Sequence, residues 1–290
     1  MLGAIIGDTV GSVYEFNNTK NYWFQLFMGE SAYTDDSIMT MAVAYWLLHD
    51  KKHTYQALED IMVIFGERCP CPMGGYGGGF YTWLFEPDAL FDFAGNNGES
   101  PYKSKTDRHP YGSWGNGSAM RVSSVGWFFD SLEETERVAA ISAAITHNHP
   151  EGIKGAQATA GAIYMARTGS SKKDIQEYIE KKYGYNVHRT WEDLHWEYVW
   201  HSSCQGTVPP AAICFLTSSN FEDAIRRAVS LGGDSDTLAC ITGGMAEAYY
   251  KEIPKWIADK TTSKFPGIFH KILDELRKTT VYGKTVKVVE

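Results

Sequence analysis

The stretch Leu231–Gly244, LGGDSDTLACITGG, sets two carboxylates two residues apart between a glycine pair and a run of small apolar residues. The run reads as a buried helix, and its mouth is acidic. Asp, Ser and Thr are good caps, and acids in a first turn favour the helix dipole, so one such motif needs nothing more than capping. The chain repeats the chemistry. Tyr33–Ser37, YTDDS, leads into SIMTMAVAYWLL, and neither helix carries a lysine or arginine to neutralise its acids. If the two starts converge, Asp35, Asp36, Asp234 and Asp236 share one small space. Like charges ~4 Å apart repel by roughly 4 kcal/mol at an effective dielectric near 20, so the group needs a counter-charge. Hard oxygen donors without Cys or His suit Mg²⁺, Mn²⁺ or Ca²⁺, and two divalent ions balance four carboxylates. The pattern predicts a two-metal site.

Outward from these starts, helical periodicity recurs along almost the whole chain. Thr54 opens TYQALEDIMVIFGERC, Ser171 caps KKDIQEYIEKKYG and Asn220 caps FEDAIRRAVSLGG. Glu133–Thr146, Gly152–Thr168, Asp236–Tyr250 and Pro266–Thr279 follow in the same style, and only TVKVVE at the end resembles a strand. The expectation is an all-α fold of about ten helices, a compact orthogonal bundle in one domain over residues 1–290. Three stretches break the pattern: Cys69–Gly79, Phe93–Gly117 and Tyr183–Pro210. Loops this long in a compact domain are usually functional or mobile.

The balance of charge narrows the partners. A net charge of −8 over 290 residues argues against a nucleic-acid backbone or an anionic membrane as the main partner. No targeting segment is visible, and no run reaches the ~18 apolar residues of a membrane span. Five cysteines, two of them in C-P-C rather than C-x-x-C, suit a reduced cytoplasmic protein, expected to be a monomer.

Gly3, Gly7, Gly11 and Glu15 recur every four residues, which places them on one helix ridge where another backbone can approach. Glu15 would then be a fifth acid beside a packed surface. His109–Trp127, HPYGSWGNGSAMRVSSVGW, feeds glycine-rich backbone into a helix starting near Ser118, a natural phosphate cradle. Tyr111 and Trp114 in it suit stacking on a base, or packing on the core. In THNHP, Thr146–Pro150, His149 reads either as a substrate hydrogen-bond partner or as a helix-start residue.

Taken together and in order, Gly7–Glu15 (GDTVGSVYE), Thr34–Ser37, Gly115–Arg121 (GNGSAMR), Thr146–Pro150 and Gly232–Thr237 (GGDSDT) resemble the ADP-ribosylglycohydrolase family. The resemblance covers about residues 1–250 and implies an all-α fold with a binuclear Mg²⁺ or Mn²⁺ centre and an ADP-ribose cleft. By that resemblance Thr34, Asp35, Asp36, Asp234, Asp236 and Thr237 are metal ligands, and Glu15, Asp36 and Asp236 form the catalytic set. Asn116, Gly117, Ser118 and Met120, with Gly115, Tyr111 and Trp114, would line the substrate, and His149 would stand near it. The implied reaction is hydrolysis at the anomeric carbon of ADP-ribose, releasing it from a modified protein or from O-acetyl-ADP-ribose. Arginine linkage is narrowly favoured, because Glu192, Asp193 and Glu197 in the third stretch would suit a guanidinium. A silent ADP-ribose-binding relative and a metal-dependent phosphoesterase are the alternatives.

Overall fold

The segment Leu2–Gly11 is apolar or small everywhere except Asp8 and Thr9, and it forms helix α1 with every residue buried. The computed structural model describes residues 1–89, 105–106 and 108–290. After α1 come α2 (Asp35–His49), α3 (Tyr55–Arg68), α4 (Gly78–Phe85), and the one-turn helices α5 (Gly117–Met120) and α6 (Val125–Phe128). Next are α7 (Leu132–Ala144), α8 (Pro150–Arg167), α9 (Lys172–Tyr183), the short α10 (Trp191–His195) and α11 (Cys204–Thr217). The chain closes with α12 (Phe221–Ser230), α13 (Ser235–Tyr250), α14 (Lys255–Thr262), α15 (Gly267–Thr279) and α16 (Tyr282–Thr285). The all-α expectation holds. There are more helices than ten because α5, α6 and α16 are single turns and α10 and the start of α11 fall in a stretch that reads as a loop.

Local chemistry explains the long helices. Thr54, Ser171 and Asn220 each accept a backbone N–H as caps, and Ser171 with Asp174 completes a capping box. The terminal strand β2 (Lys287–Val289) pairs in parallel with β1 (Glu252–Pro254), Ile253 opposite Val288. The third expected loop is partly helical. It contains α10, and α11 begins at Cys204 and runs through Pro209 and Pro210. Both prolines are buried, and that packing outweighs the usual penalty for proline inside a helix.

The core is organised along α1 and α13, which lie against each other with α8, α11 and α12 around them. Their seam is a glycine contact. A Cβ on Gly7 would stand 1.9 Å from the Ala239 carbonyl oxygen, and one on Gly11 would stand 2.5 Å from the Asp236 Cα. The ridge reading is therefore correct for the glycines and incorrect for Glu15. Helix α1 ends at Gly11 and the chain turns through Tyr14, whose N–H donates to the Gly11 carbonyl, so Glu15 lies in a loop beyond the helix. Tight packing delivers the C-terminal end of α1 and the N-terminal ends of α2 and α13 to one place. Among the described residues no helix is long and apolar enough to cross a membrane.

Candidate metal centre and cleft

The two acidic helix mouths converge. Thr34 caps α2, with Asp35 and Asp36 as its first two residues, and Asp234 precedes α13, with Asp236 in its first turn. One carboxylate oxygen each from Glu15, Asp234 and Asp236 lie within 4.8 Å of one another. Thr237 Oγ1 donates to Asp36 Oδ2 at 3.2 Å, which ties the α13 start to the α2 start. Asn116 Nδ2 donates to Asp234 Oδ2 at 2.7 Å and so ties in the glycine-rich segment. Two buried carboxylate oxygens, Asp36 Oδ1 and Asp236 Oδ1, have no hydrogen-bond partner. An unsatisfied carboxylate oxygen in a low-dielectric site is costly, and a cation relieves that cost directly. The donors are all hard oxygens, so the site fits divalent ions of the Mg²⁺ class and not zinc.

Electrostatics points the same way. Burial, followed by the charges of neighbouring acids, holds Asp35, Asp36 and Asp236 well above the usual carboxylate range. Glu15 is pushed up to about 7, first by burial and then by Asp234 and Asp8. Asp8 was missing from the expected site. It accepts from Thr34 N at 3.0 Å, Thr34 Oγ1 at 2.7 Å, Ser37 N at 3.1 Å and the Ser37 hydroxyl. Its carboxyl is raised to about 6 by burial, against the pull of those hydrogen bonds. Asp8 thus holds the α2 start from behind. A lone acid inside an otherwise apolar helix was the signal for it. Thr34 faces Asp8: its hydroxyl donates there and accepts the Asp36 N–H, so it stands behind the cleft wall.

The acids open into a cleft of about 400 Å³. Glu15, Asp35, Asp36, Asp234, Asp236 and Thr237 line its floor, while Tyr111, Gly115, Asn116, Gly117 and Met120 form one wall. Three expected substrate residues do not line it. Ser118 is buried and donates to the Gly152 carbonyl. Trp114 packs edge-on against His149. His149 is the N-cap of α8, its Nδ1 accepting the Glu151 N–H, as expected of a residue preceding Pro150 at the first helical position. The histidine in the cleft is His147. Arg121 donates to Thr146 Oγ1 at 2.8 Å, and that hydroxyl sits 2.7 Å from His147 Nδ1. The Thr146 proton then goes to Nδ1, an assignment from the hydrogen-bond pattern that leaves the ring N–H on Nε2. Burial, helped by Arg121, holds the ring well below its usual pKa, so it is neutral. The expected phosphate cradle is also modified. Helix α5 has only four residues, and the Asn116 N–H is already bonded to the Ser202 carbonyl at 2.8 Å.

Further lining comes from segments without recognisable motifs. Gly74–Phe80 lines the cleft, and Gly74 has φ +78°, the left-handed region that favours glycine, with Glu15 Oε2 2.6 Å from where a Cβ would stand. Asn18 fastens the Glu15 turn to the α13 mouth. Its Nδ2 donates to the carbonyls of Glu15 (2.8 Å) and Gly233 (2.9 Å), and its Oδ1 accepts the Gly233 N–H at 2.7 Å. The acids of the 183–205 segment have local partners. Glu192 pairs with Arg227, Asp193 caps at Thr190, and Glu197 pairs with Arg189. None of the three lines the cleft, whereas Trp200 and Ser202 of the same segment do.

Comparison with known proteins agrees with this arrangement. The sequence profile of the ADP-ribosylglycohydrolase family matches residues 1–281. The mouse ADP-ribosylhydrolase ARH3 is 26% identical over 318 residues, covering 88% of this chain and 84% of that protein. A putative ADP-ribosyl glycohydrolase of Acanthamoeba polyphaga mimivirus is 25% identical over 305 residues, covering 89% and 88%. A solved structure described as an ADP-ribosylglycohydrolase-related protein complex shares the fold, with a TM-score of 0.61 at 19% identity over 98% of this chain and 97% of that one. With its helical core, its converging acidic helix mouths and a family match across nearly its whole length, the chain belongs to the ADP-ribosylglycohydrolase family.

Proposed function

We propose that this chain is a monomeric, single-domain, metal-dependent hydrolase that cleaves the bond at the anomeric carbon of ADP-ribose and releases it from a modified acceptor. The observation that carries the reading is the pair of unsatisfied oxygens, Asp36 Oδ1 and Asp236 Oδ1, buried among converging carboxylates at the floor of the cleft. Asp35, Asp36, Asp234, Asp236 and Thr237 would hold two Mg²⁺ or Mn²⁺ ions, with Glu15 at their edge. Ions there would supply Lewis acidity toward ribose oxygens and a lowered pKa for water.

The chain's own residues do the rest. Glu15 exchanges a proton at a carboxylate oxygen, and its raised pKa suits that task near neutrality. Asn116 Nδ2 and Thr237 Oγ1 orient Asp234 and Asp36. His147 presents its Nε2–H beside Gly117. Arg121, cationic although burial lowers its pKa to about 10, lines the cleft with Nε unpartnered and would meet the diphosphate. A developing oxocarbenium ion would find the floor carboxylates around it.

For the acceptor, the cleft favours an oxygen linkage over arginine. The carboxylates lining the cleft among the described residues are Glu15, Asp35, Asp36, Asp234 and Asp236, all in the ion cluster. A guanidinium leaving group would want a spare carboxylate, and Glu192, Asp193 and Glu197 are engaged elsewhere. The test is product analysis with a serine-linked ADP-ribosyl peptide, an arginine-linked one and O-acetyl-ADP-ribose, each with Mg²⁺, with Mn²⁺ and after chelation. Release of ADP-ribose that stops on chelation and restarts with Mg²⁺ or Mn²⁺ is expected. Tight ADP-ribose binding without turnover, or release of phosphate, would replace this reading with a silent binding protein or a phosphoesterase.

A further inference from the structure

Beside Glu15 the chain places a large aromatic ring in water. Phe16 is 74% exposed, and its ring stacks on Trp200 with centroids 5.7 Å apart and planes 18° from parallel. Trp200 is 43% exposed. Both rings line the cleft that holds the acids. Both rings are therefore apolar surface that the fold leaves uncovered at the edge of a buried acidic site. Isolated exposed apolar residues are ordinary, but aromatics grouped at the mouth of a cleft mark a binding surface. Trp is also the residue type most enriched at binding hot spots.

Position identifies the occupant. The floor acids and the Gly115–Gly117 wall account for the ADP-ribose side of the cleft. The floor acids Asp36, Asp234 and Asp236 are buried and the two rings are exposed, so the rings stand at the mouth of the cleft, where an acceptor too large to enter must remain. The cations bonded to the segment carrying Trp200 are engaged, Lys20 with the carbonyls of His195, Tyr198 and Leu231 and Arg189 with Glu197, and the whole chain is −8, so a polyanionic nucleic acid is the wrong partner. An acetyl group is too small to cover two stacked aromatic rings. We infer that Phe16 and Trp200 form an acceptor platform that packs against the polypeptide carrying the ADP-ribosyl group. This inference rests on the hydrolase reading above and adds a specificity determinant to it.

The test compares kcat/KM for an ADP-ribosyl peptide, an ADP-ribosylated oligonucleotide and O-acetyl-ADP-ribose in wild type, Phe16→Ala, Trp200→Ala and Trp200→Phe. The expected result is that the peptide-to-acetyl ratio falls about tenfold in each alanine variant, mainly through KM, and stays within about twofold of wild type in Trp200→Phe. The oligonucleotide-to-acetyl ratio should not move. Proportional losses on all substrates would overturn the platform and make the stack a support for the Glu15 turn. A fall confined to the oligonucleotide ratio would overturn the polypeptide assignment. If wild type cleaves none of the three substrates, the hydrolase reading fails first and the platform falls with it. Melting temperatures of all variants, expected near wild type for such exposed side chains, separate these outcomes from misfolding.

Discussion

The cleft floor and the cleft rim are built on opposite principles. At the floor, buried acids are crowded where capping alone requires one or two, and Asn116 and Thr237 donate to them. Toward the surface, Glu192 and Glu197 pair with arginines and Asp193 caps at Thr190, while Phe16, Trp196 and Trp200 are exposed. Charge left unsatisfied inside the fold marks chemistry, whereas charge satisfied at the surface marks local structure. A charge-rich sequence segment does not distinguish the two. Only the partners do.

The sharpest way to break that contrast is at the floor. Asp236→Asn should lower turnover by at least about 100-fold and weaken metal binding, since loss of even an outer partner of a metal ligand costs roughly 10–100-fold. Isothermal titration with Mn²⁺ alongside kinetics would check both, and near wild-type values in both would place Asp236 outside the ion site. Next in size is Glu15→Gln. It should lower kcat by about 100-fold, the scale of a lost acid–base group, with a smaller effect on ADP-ribose affinity. An unchanged kcat would return Glu15 to a structural role.

A third prediction concerns pH. The floor carboxylates have folded pKa values above their unfolded ones, with Glu15 near 7 and Asp8 near 6. The folded metal-free protein therefore binds more protons than the unfolded chain. Their contribution to stability is fully present below about pH 4 and is lost as pH rises through about 6 to 7. The Tm of chelated protein should fall between about pH 5 and pH 7.5, and saturating Mg²⁺ should remove or reverse that slope. A chelated protein whose Tm rises over that interval would show that these acids are ionised and stabilised without a cation. The smallest effect belongs to the rim. Neutralising Glu192, Asp193 and Glu197 together should leave the arginine-to-acetyl substrate ratio within about twofold. A selective loss on the arginine-linked peptide would bring that acceptor back.

What the sequence revealed follows from the range of each interaction. Helix starts were legible because a cap and its N–H acceptor are neighbours in the chain, as with Thr54, Ser171 and Asn220. The acid pairs at Asp35–Asp36 and Asp234–Asp236 were legible because their repulsion demands a shared partner. Glu15 was placed on the wrong element because a spacing of four does not say where a helix stops. In THNHP the proline following His149 marks it as a cap, whereas nothing local marks His147, because the Arg121–Thr146 contact that sets it joins separate segments. Asp8 has no local signature beyond being an acid in an apolar run, because its partners Thr34 and Ser37 lie more than twenty residues away. The Gly74–Phe80 wall and the Phe16–Trp200 stack depend wholly on long-range packing, and no local pattern announces them.

The glycine seam between α1 and α13 has a consequence for how such an enzyme can change over generations. Gly11 lies against the backbone of Asp236, so the position of a floor carboxylate is set by a contact that tolerates no side chain. Any substitution that shifts the seam shifts the floor, and any retuning of the floor must disturb the middle of the protein. The bond being cut is thereby locked to the foldability of the chain. The rim has no such tie, because Phe16 and Trp200 are exposed rings that stack on each other and not on the core. An acceptor surface of the proposed kind can therefore change without disturbing the floor that the seam fixes.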